Sequence, residues 1–245
     1  RGGVVEPRTR KQVNRMLFFH HFLHQNSRWE NETMALDNTV ELRDDFSLRG
    51  RCEMFRVHLS SMVAAHQLHQ GSNLRGHLVW ARYPHFQRLL SIRNVPTEAE
   101  DEEILQFFRE NNDPDLYMER NALKRSEFRK LISPLVRSGH LIQDYRGGFK
   151  TVEQMPGVDL WDIKSEYLRE MVQDYPVISL KQLERLAGSS FSPEEISDVM
   201  HEFEEDGTLI KGFLVDDLQD ICWGRLDMLE GLDELKVSRA LVIPP

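Results

Sequence analysis

Cysteine is nearly absent from this 245-residue chain: Cys52 and Cys222 are the only two. Two thiols cannot make a disulfide framework, so a reducing compartment is the expectation. No apolar run approaches the ~18 residues that a membrane-spanning helix requires, and no secretory signal pattern is present. A membrane partner is therefore not expected. The phosphate-binding pattern Gly-x-x-x-x-Gly-Lys-Ser/Thr and an Asp-Glu-x-His box are both missing, which leaves the chain without ATPase motifs. No Ser-His-Asp or Cys-His grouping has local support. His20 and His24 stand at i, i+4, a spacing that can hold zinc, but no Glu completes a His-Glu-x-x-His arrangement. Asp101, Glu102 and Glu103 read as a solvated helix start rather than a catalytic carboxylate pair. The expectation is thus no catalytic residue, no metal and no cofactor, and an intracellular place, cytoplasmic and nucleoid-associated or nuclear.

What is present is ordinary for a globular protein, with 40% hydrophobic and 29% charged residues. The net charge of −9 weighs against nonspecific nucleic-acid binding over the whole surface. Its distribution is uneven. Residues 1–15 carry Arg1, Arg8, Arg10, Lys11 and Arg15 against Glu6 alone, whereas 97–119 and 192–206 are strongly acidic. The chain opens at Arg1 and closes on Ile243–Pro244–Pro245, and the expectation is a piece of a longer protein.

Periodicity divides the chain. Residues 1–12 are a basic lead-in. Helical spacing marks Val13–His24 and Phe55–Leu68, the latter ending near Gly71, with a short strand near Thr39–Leu42 between them. A strand at His77–Arg82 and a helix at His85–Ile92 follow. Trp80, Tyr83, His85 and Phe86 form an aromatic cluster, able to stack a base but read as a core junction. Thr97 with Glu98 and Glu100 marks a helix start that buries Ile104, Leu105, Phe107 and Phe108. A short helix near Asn121–Lys124 is expected next, then Ser126–Arg137 with Phe128, Leu131, Ile132 and Leu135 inward and Pro134 within. Gly139 ends that helix. A hairpin follows, His140–Tyr145 and Phe149–Val152, around Arg146–Gly147–Gly148. Further on, a helix beginning near Trp161 stops by Tyr175–Pro176. Ser179 caps a helix to Ala187–Gly188 with Leu180, Leu183 and Leu186 inward. Ser192–Pro193–Glu194–Glu195 opens a helix to Asp206. Thr208–Val215 and a second strand near Ile221 precede an expected closing helix, Trp223–Leu232.

One pattern occurs twice: an amphipathic helix, a Gly break, then Leu-Ile opening a strand. It runs through Ser138–Gly139–His140–Leu141–Ile142 and again through Asp206–Gly207–Thr208–Leu209–Ile210. The reading is a mostly α, α+β chain: a helical region over 1–94, two tandem winged-helix domains at 95–157 and 158–235, and the start of a further segment at 236–245. A degenerate third winged helix is the alternative for 1–94.

The segment Leu180–Lys181–Gln182–Leu183–Glu184–Arg185–Leu186, the start Ser192–Pro193–Glu194–Glu195–Ile196 and the turn Glu205–Asp206–Gly207–Thr208–Leu209–Ile210–Lys211–Gly212 resemble the tandem winged helices of the large helicase-related (Lhr) family, or those of winged-helix DNA glycosylases. Cys222–Trp223–Gly224–Arg225–Leu226 resembles that family's Trp–Arg–Leu helix, with the Trp-to-Arg spacing one residue shorter. The resemblance covers about 150 residues from position 95 onward and implies a nucleic-acid-binding region. It brings no helicase activity, because the ATPase motifs are missing.

Charge then separates the two units. In a helix-turn-helix the second helix enters the groove, and phosphate contacts supply much of the affinity. The first unit's candidate helix and flank carry Lys124, Arg125, Arg129, Lys130 and Arg137 against Glu127, and its hairpin adds Arg146 and Lys150. The second unit's helix carries Glu194, Glu195, Asp198, Glu202, Glu204, Glu205 and Asp206 without a Lys or Arg. The expected function is binding of DNA or structured nucleic acid by the first unit, as an accessory module of a larger repair or helicase-like protein. The acidic second unit is the candidate contact for the rest of that polypeptide or a partner protein. The alternative is a protein-interaction scaffold in which both units use their helices against other domains; a winged-helix glycosylase would need a polar pocket between the units.

Overall fold

The computed structural model describes residues 41–43, 67–173, 175, 177–215 and 220–225. The expected helices at Val13–His24 and over 55–66, and the basic lead-in, lie outside them. Within them the chain is α+β and winged-helix-like, with helices packed on two small antiparallel sheets.

The first sheet begins with β1 (Leu42–Arg43), β2 (Leu68–Ser72) and β3 (Leu78–Arg82). Where a helix tail was expected at Leu68, the chain is extended: Leu68 to Ser72 pair in register with Arg82 to Leu78. The turn between them is held by Asn73, whose Oδ1 accepts the backbone N–H groups of Arg75 and His77. Helix α1 (Tyr83–Arg93) follows directly, with Pro84 in its first turn, where the missing N–H costs nothing.

Next comes α2 (Ala99–Glu110), whose N-cap is Glu98 rather than Thr97, with Glu100, Asp101 and Glu102 in the first turn. Helix α3 (Pro114–Arg120) takes the place of the short helix expected at 121–124. Asp113 starts it, its carboxylate accepting from the N–H groups of Asp115 and Leu116. Helix α4 (Arg125–Ser138) starts one residue before Ser126, and the Glu127 carboxylate accepts the Lys124 N–H at 2.8 Å. Phe128, Ile132 and Leu135 are buried as expected, but Leu131 is 40% exposed. Gly139 closes α4 in the left-handed region, φ 92°, which glycine enters without the Cβ clash of other residues.

The hairpin β4 (Leu141–Gln143) and β5 (Phe149–Thr151) extends the first sheet, because β4 pairs with β2. The strand order is β1-β3-β2-β4-β5. The hairpin is thus the edge of a sheet begun before residue 94.

The remaining elements are α5 (Leu160–Gln173), β6 (Val177–Ser179), α6 (Leu180–Ala187), α7 (Pro193–Glu205), β7 (Leu209–Gly212) and β8 (Cys222–Arg225). Their sheet runs β6-β8-β7, the helix–strand–helix–helix–hairpin plan of a winged helix. Ser179 caps α6 and Ser192 caps α7, each with its box partner, Gln182 and Glu195. Trp223–Arg225 form strand rather than the start of a closing helix. β8 needs that conformation to pair with both β6 and β7, and the rest of the expected helix lies outside the described residues. Leu180, expected inward, is exposed, while Leu183 is fully buried.

Two cores result. The smaller gathers Ile104, Leu105, Phe107, Phe108, Tyr117, Phe128, Ile132 and Leu135 around Leu141 and Phe149. The larger joins α1, α5, α6 and α7 with Ile142, Leu209 and Trp223. β4 separates them: Leu141 enters one core and Ile142 the other, because successive strand side chains point to opposite faces.

Candidate nucleic-acid interface

The geometry of α4 sorts the seven basic candidates. At 3.6 residues per turn, Arg129, Lys130 and Arg137 fall on an arc of roughly 100° turned away from Phe128, Ile132 and Leu135, while Arg125 lies beside Ile132 at the edge of the buried face. All four are exposed, as is Lys124 at the helix start. Among the described residues none of the five makes an ion pair through its side chain. Arg129, Lys130 and Arg137 therefore project from the solvent face, Lys124 and Arg125 stand at the helix start, and Glu127, engaged with the Lys124 N–H, is the single acid in this stretch.

Arg146 stands at the hairpin tip. Asp144 fixes that tip: its Oδ1 accepts the N–H groups of Arg146 at 2.8 Å and Gly148 at 2.9 Å, and its own N–H donates to the Gly148 carbonyl. The Arg146 Nε donates to the Tyr145 hydroxyl at 2.8 Å, and the guanidinium lies 5.2 Å from that ring's centre. The tip offers a cation and an aromatic ring on a braced turn.

Lys150 is placed elsewhere. Its neighbour Phe149 is buried under α4, so Lys150 faces the other side of the sheet, paired with Ile142. There its ammonium sits 4.1 Å from the centre of the Tyr83 ring, a cation–π contact. The structure puts Lys124 and Arg125 at the start of α4 and Arg129, Lys130 and Arg137 on its solvent face, sets Arg146 at the hairpin tip, and turns Lys150 toward Tyr83 of α1.

The matching helix of the second unit, α7, has the opposite sign. Glu195 accepts from Lys164 at 2.5 Å and from the Ser192 N–H, and these bonds hold its carboxyl below the ordinary carboxylate value. Glu204 accepts from the Trp223 indole. Asp206 accepts from Thr208 and lies 3.5 Å from Arg169. Glu194, Asp198, Glu202 and Glu205 remain exposed along one face, repelling any phosphate that approaches.

A buried charge cluster was not anticipated from the sequence. His85, assigned to an aromatic junction, is indeed buried and stacks 5.8 Å from the Tyr167 ring. It is also bracketed by two carboxylates. Its Nε2 is 3.0 Å from Glu41 and its Nδ1 3.7 Å from Glu170. Glu41 also accepts from the Asn73 amide at 2.9 Å, and Glu170 pairs with Arg88. Nothing local announces this group, since its members come from three distant segments. Among the described residues no set of His, Cys, Asp and Glu is arranged to hold a metal ion, and no helix is long and apolar enough to cross a membrane.

No protein-family description matches the chain, and no curated protein matches it. Among solved structures it is similar to the Streptomyces sahachiroi DNA glycosylase AlkZ, with a TM-score of 0.61 and 15% identity over 94% of this chain and 73% of that one. At that identity the likeness is one of fold: this chain shares the α+β, winged-helix-like architecture of a DNA glycosylase.

Proposed function

We propose that this chain binds DNA as an accessory module of a larger repair or helicase-like protein. In this reading residues 95–157 and 158–235 are tandem winged helices. The first lays α4 along the duplex, with Lys124, Arg125, Arg129, Lys130 and Arg137 on backbone phosphates and Arg146 reaching them from the hairpin tip. The second buttresses it and turns its acidic α7 toward the remainder of the polypeptide or a partner protein. The location that follows is the nucleus or the nucleoid.

The observation that carries the reading is α4 itself: five exposed cations along and at the start of the helix that a winged helix presents to a groove. The fold shared with a DNA glycosylase supports it. No reaction is assigned to the chain. The second reading, a protein-docking scaffold, draws on the exposed carboxylates of α7.

The test is a salt-titrated binding assay on duplex, single-stranded and forked DNA. Each phosphate neutralised contributes about −0.9 to the slope of log K against log salt on duplex DNA, so four to six contacts give a steep, readily measured line. Arg129→Glu with Lys130→Glu should flatten that line and weaken binding to every sequence alike. Affinity that ignores salt, or a double variant that binds like the parent, leaves the scaffold as the function.

A further inference from the structure

His85 sits on α1, the helix that packs against α5, with Phe86 and Leu89 buried in the same core. Each element around it contributes a charged or titratable group. Glu41, from the segment before β1, meets Nε2. Glu170 and Tyr167 come from α5, the first meeting Nδ1 and the second stacking on the ring. Arg88 on α1 holds the far oxygen of Glu170. Asn73, from the β2–β3 turn, donates to Glu41. Arg93 is near enough to bias Glu41 electrostatically, and it fastens α1 to the Ser72, Asn73 and Ser138 carbonyls.

A neutral imidazole has one N–H and cannot donate to both carboxylates; an imidazolium can. With the proton on, the ring bridges the segment before β1 to α5 through α1. With it off, Glu41 and Glu170 share one donor, and one of the two contacts becomes a lone pair facing a carboxylate. Nδ1 and the facing Glu170 oxygen, 3.7 Å apart and so beyond hydrogen-bond distance, are both buried with no hydrogen-bond partner, so the attraction between them rests on the charge of the ring.

We propose that His85, Glu41 and Glu170 form a pH-dependent latch between α1 and α5, closed while the imidazole is protonated and loosened when it gives up its proton. Burial alone would pull the His85 pKa down; the two carboxylates outweigh it and set it above the ordinary 6.5. The latch therefore opens at a higher pH than that at which an ordinary imidazole gives up its proton. It belongs to the seam between the two sheets and stands whether or not α4 binds DNA.

The experiment is a pH titration of the intact chain. The ¹⁵N shifts of the His85 ring report its protonation, and amide exchange reports α1 and α5. At pH 6.5 both ring nitrogens should carry protons, and the ring should titrate above that value. Corrected for the base catalysis that speeds every amide as pH rises, protection along α5 should fall by about tenfold or more across that titration while α4 keeps its protection. Glu170→Gln, which keeps the shape and removes the charge, should move both events to lower pH together; Glu41→Gln should do the same from the other side. A His85 ring that is neutral at pH 6.5 overturns the proposal. So does α5 protection that stays level while the ring titrates. Should either Gln variant fail to fold, the parent titration alone decides.

Discussion

Phe149 donates its backbone N–H to the carbonyl of Asn112 at 2.9 Å, and that hydrogen bond stands where the second unit has a strand. In the second unit β6 lies between α5 and α6 and pairs with β8 over three residues. In the first, the residues between α2 and α3 contribute Asn112 alone to β5. The lost strand is made up for on the other side, where β2 pairs with β4. Two units with one sequence grammar have therefore closed their sheets in different ways.

That close approach makes Gly148 a sensitive position. A Cβ there would lie 2.9 Å from the Asn112 oxygen and 2.9 Å from the Asp144 carboxylate. Gly148→Ala should therefore cost about 1–3 kcal/mol, as overpacking does, read as a lower urea midpoint with an unchanged slope. An alanine variant as stable as the parent would show that the Asn112 contact can relax freely.

Ser192 accepts the Glu195 N–H at 3.1 Å, and Glu195 accepts the Ser192 N–H in return. Ser192→Ala removes half of this box at the start of α7. The expected loss is about 1 kcal/mol, seen in thermal or denaturant unfolding. Restoring the cap with Asp should recover most of it.

The buried carboxylates predict an acid limb. Burial alone would raise the pKa of Glu41, but His85, Asn73 and Arg93 lower it overall; Glu170 is likewise lowered, by His85 and Arg88 against its own burial. A carboxylate lowered in the folded state contributes stability above its unfolded pKa, near 4.5, and loses it as pH falls through the folded value. Below pH 6.5, where the His85 contribution is complete, urea midpoints should hold level down to about pH 5 and then fall. Glu41→Gln should start lower and fall less steeply. If it keeps the parent's acid slope, other groups set that limb.

Position, not charge alone, should decide which cations matter for DNA. Lys150→Ala removes a cation that lies over Tyr83 on the far side of the sheet, so affinity should change by less than about twofold while the salt slope stays the same. Arg129→Ala should lower that slope by about one. Equal effects from the two would mean that the bound surface wraps around the sheet edge.

Local signals in the sequence were read where the physics is local. Gly139 had to end α4, Ser179 and Ser192 had to cap their helices, and Pro193 fits the first helical position, because each acts within one turn of chain. Errors arose where a residue's state depends on a distant partner. Leu68–Ser72 has helical spacing behind it, yet it is a strand because β3 on one side and β4 on the other hydrogen-bond to it. Trp223 looked like the start of a helix and became the central strand between β6 and β7. Helix α3 was displaced because Asp113 and Pro114 start it seven residues ahead of the expected position. For the interface, the α4 cations were legible as a face, but the strand alternation that turns Lys150 away from them needed the sheet. The His85 cluster could not be read at all, since Glu41, His85 and Glu170 meet only after the sheet and α5 have assembled.

The pairing of β2 with β4 carries a consequence in time. The hairpin β4–β5 can form by itself within microseconds, as short-range contacts do, but its place in the sheet waits on a strand more than half a hundred residues earlier. Loop closure over that distance must precede the reward of pairing. The helices of the first unit, α2 to α4, lie inside the loop being closed, so their prior collapse shortens it. Refolding should accordingly show α4 and the two hairpins, β2–β3 and β4–β5, protected early and the β2–β4 pairing late, with the five-stranded sheet completed as one of the last events.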